Sequence, residues 1–252
     1  MIRYRCAAGT DVGLKREHNE DSFLVNERLG LYTVCDGMGG HKGGETASRL
    51  AAQTIERELL AAKKRGGQPF RVSEPLERSP LAGALREAME KACAAVFRKS
   101  LRDPELQGMG TTCIALLVHG ESAIVGHVGD SRAYLVRGGT LTQLSEDHSL
   151  VNEQLKAGAI TPDEARHSRF KNIITRSVGF EADVAVDMMG LEVEPGDRLL
   201  VCCDGLSNLV DDPEILDVVS AAPLDGAPRR LIELANERGG DDNITVIVIH
   251  VM

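Results

Sequence analysis

The stretch TTCIALLVHGESAIVGHVGDSRAYLVRGGTLTQL, residues 111–144, decides the fold class. It holds four β-rich runs in succession: Thr111 to Val118, Ser122 to His127, Arg132 to Val136 and Leu141 to Leu144. Gly138-Gly139 supplies the positive-φ pair of a tight hairpin turn between the last two. No helical pattern separates the runs. Strands that follow one another this closely pair as antiparallel neighbours, and the absence of β-α-β alternation argues against a doubly wound parallel sheet.

Outward from this block the pattern repeats. Tyr4 to Val12, Ser22 to Asn26 and Leu29 to Cys35 read as strands, as do Val184 to Leu191, Arg198 to Cys202 and the apolar run Ile244 to Val251. Two long amphipathic helices lie between the first strands and the central block. Ala47, Leu50, Ala51, Ile55 and Leu59 recur at helical spacing, with Gly66 as the stop. Leu85, Met89, Ala92, Val96 and Phe97 mark a second helix over Leu81 to Leu101, so an antiparallel pair is expected. Residues 66–80 read as a loop. Asp36-Gly-Met-Gly-Gly-His-Lys-Gly-Gly44 has too many glycines for an element interior. Thr161-Pro-Asp-Glu164 is a capping box with proline at the first helical position, and a short helix is expected at Ser149 to Lys156. Two more helices begin near Asp212-Pro213 and Arg229. The expected fold is α+β: two packed antiparallel β-sheets flanked by helix pairs.

The 252 residues fit one domain of this kind. Lys plus Arg is 29 against 38 Asp plus Glu, a net charge of −9. The longest basic cluster, Lys63-Lys64-Arg65, reads as a solvated helix end, so a nucleic-acid partner is not expected. The six cysteines form no C-x-x-C pair, which excludes zinc ribbons and thioredoxin-type chemistry. There is no signal-peptide core and no apolar run of about 18 residues, so no membrane association and a cytoplasmic location are expected.

Several chemistries fail on spacing. Lys42 precedes Gly43, so Gly39-Gly-His-Lys42 is not a Walker loop. No H-E-x-x-H or G-x-S-x-G occurs, and no cysteine has an arginine six positions later. What remains is a set of carboxylates where β-runs meet turns: Glu20-Asp21, Asp36, Asp130, Asp204 and Asp242. A single Asp-Gly is ordinarily just a turn, as at Asp225-Gly226. Five such positions can converge on one edge of a sandwich, where an oxygen-only donor set selects Mg²⁺, Mn²⁺ or Ca²⁺. Arg16, four residues before Glu20, is either a surface arginine or a planar fork for phosphate oxygens.

Thr10-Asp-Val-Gly-Leu-Lys-Arg16-Glu-His-Asn-Glu20-Asp21 resembles the opening motif of the metal-dependent serine/threonine protein phosphatases of type 2C. Val34-Cys-Asp36-Gly37-Met-Gly-Gly-His41 resembles their second motif in its bacterial form. Gly108-Met-Gly110-Thr-Thr112, Gly129-Asp130-Ser-Arg132, Cys203-Asp204-Gly205 and Asp242-Asn243 resemble the later ones, in order and over nearly the whole chain. The resemblance implies two core Mn²⁺ or Mg²⁺ ions. Asp36 bridges them, the Gly37 carbonyl and Glu20 serve one, and Asp204 and Asp242 complete the other. Asp130 with Asp204 matches a third, weaker site, and Asp21 and Asn243 orient ligands from behind. Arg16 matches the phosphate-binding arginine. The implied reaction is hydrolysis of phosphoserine or phosphothreonine by direct in-line attack of a metal-bridging water, without a phosphoenzyme.

The resemblance also implies a flap at about 146–180 beside the site, phosphorylated proteins as substrates with a serine/threonine protein kinase among them, and a monomer. Where many eukaryotic relatives of the resembled family carry a histidine after Asp-Gly, this chain has Met38, as many bacterial members do. His41, three residues on, either replaces it as general acid or caps the following helix, and a metal-bound water is a further proton source. Two other readings stay open on the residues. A non-catalytic phosphoprotein-binding module on this fold is marked by loss of a metal aspartate, and none is missing. A two-metal nuclease is disfavoured by the acidic balance.

Overall fold

The computed structural model describes residues 2–39, 43–64, 76–166 and 168–252. In chain order the elements are β1 (Tyr4–Asp11), β2 (Ser22–Asn26), β3 (Leu31–Cys35), β4 (Gly37–Met38), α1 (Gly43–Lys64), α2 (Pro80–Ser100), β5 (Gly110–Thr111), β6 (Cys113–His119), β7 (Ser122–Val128), β8 (Arg132–Arg137) and β9 (Thr140–Gln143). Then come α3 (Leu150–Lys156), α4 (Pro162–Arg166), β10 (Asp187–Glu192), β11 (Arg198–Cys202), α5 (Asp204–Ser207), α6 (Asp212–Ala221), α7 (Ala227–Glu237) and β12 (Ile244–Val251).

Two five-stranded sheets run β1-β12-β11-β8-β9 and β10-β7-β6-β3-β2, every pair antiparallel, with β4-β5 as a separate ribbon. Side-chain alternation sorts the core into three layers. Tyr32, Val34, Ile114, Leu116, Val201, Ile247 and Ile249 fill the space between the sheets. From the same strands, Leu31, Cys35, Cys113, Ala115 and Leu117 turn outward onto α1 and α2. On the far side Leu200, Cys202, Val246 and Val248 meet Ile215, Val219, Leu231 and Ala235 of α6 and α7. Both faces of the inner strands are covered, so they read as continuous apolar runs. Each fully buried Leu, Ile or Val side chain contributes about 1.5–3 kcal/mol.

The two long helices pack together, bridged by Lys91 and Glu58 at 3.0 Å. Gly66, expected as the first helix stop, lies outside the described residues, as do Arg65 and most of the expected 66–80 loop. Lys63 and Lys64 do close the last turn of α1, and Lys63 donates to the Arg28 carbonyl at 2.7 Å.

Four expectations are corrected. The run from Thr111 breaks at Thr112, which splits β5 from β6. The glycine-rich segment contributes β4, because Gly37 lies so close to the Gly44 and Glu20 carbonyls that only glycine fits there, and its last two residues begin α1. Strand β10 starts at Asp187 rather than Val184; Val184 and Val186 instead pack against the core under α1 and α2. A helical turn, α5, follows Cys203 where only a strand end was expected. Among the described residues no helix is long and apolar enough to cross a membrane.

Candidate active site

Strand register brings the scattered carboxylates to one edge. Ser22 opposes Cys35, Val34 opposes Ile114, and Cys113 opposes Val128, so the start of β2 and the ends of β3 and β7 share a rim. In the other sheet Asp11 opposes Ile244 and Cys202 opposes both Val246 and Arg132, which places the end of β11 and the start of β12 on the matching rim. Glu20, Asp36, Asp130, Asp204 and Asp242 therefore line one cavity of about 740 Å³ together with Arg16, Gly37 and Met38.

Each acid is held by neighbours. The Asp36 N–H donates to Thr112 Oγ1 at 3.0 Å, while the Asp36 carbonyl accepts from Thr112 N and Thr111 Oγ1, both at 2.8 Å. Asp204 Oδ2 accepts from Asn208 Nδ2 one turn on, at 2.9 Å. Gly205 has Asn243 O where its Cβ would stand, so the turn into α5 admits glycine alone. Asn243 is a staple: its Oδ1 accepts from Glu20 N at 2.7 Å, and its Nδ2 donates to the Val12 and His18 carbonyls at 2.9 Å each. It thereby fixes both ends of the loop that carries Arg16. Asp21 lies behind the rim, its Oδ2 accepting from Thr245 Oγ1 at 2.6 Å. Arg16 Nη2 donates to Asp242 Oδ2 at 2.7 Å.

The charge balance is uneven. Glu17, Glu20, Asp36, Glu45, Asp130, Asp204 and Asp242 line the cavity against Arg16 and His18. Burial, then repulsion from Asp21, Asp204 and Asp130, holds Asp36 well above the usual carboxylate range. Burial followed by Asp204 and Asp147 pushes Asp130 up to about 8, and burial takes Asp21 to about 7. Asp204 and Glu20 are raised as well, both chiefly by burial. Glu20 Oε1, Asp21 Oδ1 and Asp204 Oδ1 are buried with no hydrogen-bond partner among the described residues. Among the described residues the cavity's cationic side chains are outnumbered by these acids, so hard divalent cations fit the all-oxygen donor set. Cys203 approaches Asp21 and Asp36, but its thiol donates to the Asn243 carbonyl at 3.3 Å and accepts from Thr245 N at 3.1 Å, so its hydrogen bonds are made to the backbone of β12 and the residue before it.

Thr112, Asn208 and Thr245 carry contacts that spacing alone did not assign. Thr112 ends a quoted motif, and Asn208 stands four residues after Asp204, the helical spacing that pairs side chains; Thr245 gave no local signal. His41 lies outside the described residues. Met38 lines the cavity and has no proton to give.

A two-sheet sandwich with this rim of oxygen donors, beside a guanidinium fork, defines a metal-dependent phosphoester hydrolase. Residues 9–241 match the model of the protein phosphatase 2C family. The chain is 36% identical over 244 residues to a serine/threonine phosphatase of Listeria welshimeri, covering 95% of this chain and 93% of that protein. It is 38% identical over 253 residues to the serine/threonine protein phosphatase PstP of Mycobacterium tuberculosis, covering all of this chain but 45% of PstP. The crystal structure of the PstP catalytic domain in complex with two manganese ions superposes with a TM-score of 0.82 at 36% identity, over the full length of both chains. The chain belongs to the protein phosphatase 2C family and is a metal-dependent serine/threonine protein phosphatase, with Mn²⁺ or Mg²⁺ as cofactor.

Proposed function

We propose that Glu20, Asp36, Asp204, Asp242 and the Gly37 carbonyl hold two core cations, that Asp36 serves both, and that Asp130 with Asp204 holds a third. The observation that carries this is the convergence of five carboxylates on one rim, with Arg16 paired to Asp242 at its edge. When bound, the cations acidify water and draw charge from the phosphoryl oxygens. Arg16 is the phosphate clamp. Half of its side chain is exposed, and its hydrogen bond to Asp242 is available for exchange once a cation meets the Asp242 charge. Its guanidinium then offers two parallel N–H donors to a phosphoryl group. Asn243 keeps that loop in place, and Asp21 supports the rim from behind through Thr245.

The substrates on this reading are proteins phosphorylated on serine or threonine, a serine/threonine kinase among them. Segment 146–180 forms a flap over the site, because Asn172 and Ile174 make one wall of the cavity. Six free cysteines fit a reducing, cytoplasmic setting. We infer a monomer as the working state. The test is phosphate release from a phosphothreonine peptide. Activity is expected with Mn²⁺, absent in excess chelator, and retained after thiol alkylation, since five of the cysteines are buried. Full activity in chelator removes the two-cation assignment.

A further inference from the structure

His148 lies outside the cation rim, yet it grips the residue that turns the chain into Asp130. Its backbone N–H donates to the Gly129 carbonyl at 2.8 Å, and its ring Nδ1 accepts from the Gly129 N–H at 3.0 Å. Both polar groups of Gly129 are thus taken by one residue. Gly129 has φ +109°, and a Cβ there would collide with Thr112, so only glycine makes this sharp turn and its backbone is held by its hydrogen bonds. The same His148 accepts from Thr175 N at 2.8 Å through its carbonyl. With Ser149 bridged to Ile174, it closes the two ends of segment 146–180 on each other.

The ring itself is locked. Because Nδ1 accepts, the proton sits on Nε2 and donates to Asp187 Oδ2 at 3.0 Å. Arg176 Nη1, which lies 3.0 Å from the same Nε2, donates to the other oxygen of Asp187 at 2.7 Å and so fixes the acceptor beside the ring. His127 stacks on the ring with centroids 4.7 Å apart. Its side chain is 98% buried, and burial together with the nearby His148 takes it down to about 3, so the stacking partner is neutral. Next to His148, Arg132 clasps Asp147 with two hydrogen bonds of 3.0 and 2.6 Å to Oδ2, which ties the segment to β8.

We propose that His148 is the positioning residue that sets Asp130 and couples it to segment 146–180, so that the geometry of the third cation site depends on this imidazole. The inference rests on the assignment of Asp130 to that third site. His148→Ala removes the Gly129 acceptor and the Asp187 donor. A lost outer-sphere partner of a ligand typically costs about 10–100-fold in metal affinity or activity, and that is the expected fall in turnover and in affinity at the weakest Mn²⁺ site. The two tight sites are expected to be unchanged.

Calorimetric Mn²⁺ titration and peptide kinetics are read on wild type, His148→Ala, Asp130→Asn and the double variant. If His148 acts through Asp130, the alanine costs less than about twofold more in the Asp130→Asn background. His148→Asn keeps an acceptor near Nδ1 and is expected to recover most of the turnover, whereas His148→Gln, which reaches toward Asp187 instead, is not. If His148→Ala does not fold, the Asn and Gln variants decide the question alone. Full additivity in the double variant, or equal behaviour of Asn and Gln, overturns the inference. An Asp130→Asn variant with wild-type metal binding and turnover instead overturns the assignment of Asp130, and the inference falls with it.

Discussion

Asp36 follows a strand whose five residues are all buried, and Thr111 and Thr112, at the break between β5 and β6, hold its backbone. Asn172, on the facing wall of the same cavity, is exposed in a stretch tied down by the Ser149–Ile174 and Thr111–Val178 bridges and a few backbone hydrogen bonds. One wall is continuous with the packed interior of the sandwich. The other has short helices, α3 and α4, with Val151 and Ala165 as their buried apolar anchors. Ligand geometry at the rim is thus paid for by global packing, while segment 146–180 rests on local contacts that open at lower free energy.

The largest expected effect belongs to the rim. Asp36→Asn removes the one carboxylate assigned to both core cations and is expected to lower kcat by more than about 100-fold, beyond the usual loss for an outer-sphere partner, with no rescue by added Mn²⁺. Steady-state kinetics over a Mn²⁺ series checks it. A variant with near wild-type turnover breaks the view that the rim alone sets the chemistry.

A second test reads the electrostatic load of the rim. Asp21 at about 7 and Asp130 at about 8 are raised above their unfolded values near 3.9. Protonation therefore favours the folded state. Their contribution is complete below about pH 4 and is lost as pH rises through about 8. In chelator, Tm is expected to fall by several degrees between pH 5.5 and 8.5, and Mn²⁺ is expected to flatten the slope by supplying the missing positive charge. Differential scanning fluorimetry with and without Mn²⁺ measures this. An identical slope in both conditions means that the rim carries no such load.

The smallest effect is expected in segment 146–180. Thr161 Oγ1 accepts from Glu164 N at 3.2 Å, and Glu164 Oε2 accepts from Thr161 N at 2.8 Å, the reciprocal pair read from the sequence. Thr161→Ala is expected to speed amide exchange at 163–166 by about fivefold while exchange in β3, β6 and β12 and the global Tm stay put. A drop in Tm matching the loss of local protection shows that the segment folds with the sandwich rather than on its own.

Local patterns carried much of this protein. Alternation and run length located most strands, the Gly138-Gly139 turn is present with φ of 56° and 77°, and the capping box forms as written. Aspartates placed where apolar runs stop were legible as a group, because a carboxylate at a strand end costs little locally and needs a reason to recur. Strand order and register were not legible. They depend on which apolar faces bury each other across the sandwich, and that choice alone put Asp242, at the start of the last strand, beside Arg16 near the beginning of the chain. The same limit hid Thr112 under Asp36 and His148 under Gly129. A hydroxyl or an imidazole has many possible partners in an extended chain, and only the packed structure, by excluding water and fixing distances, selects one of them.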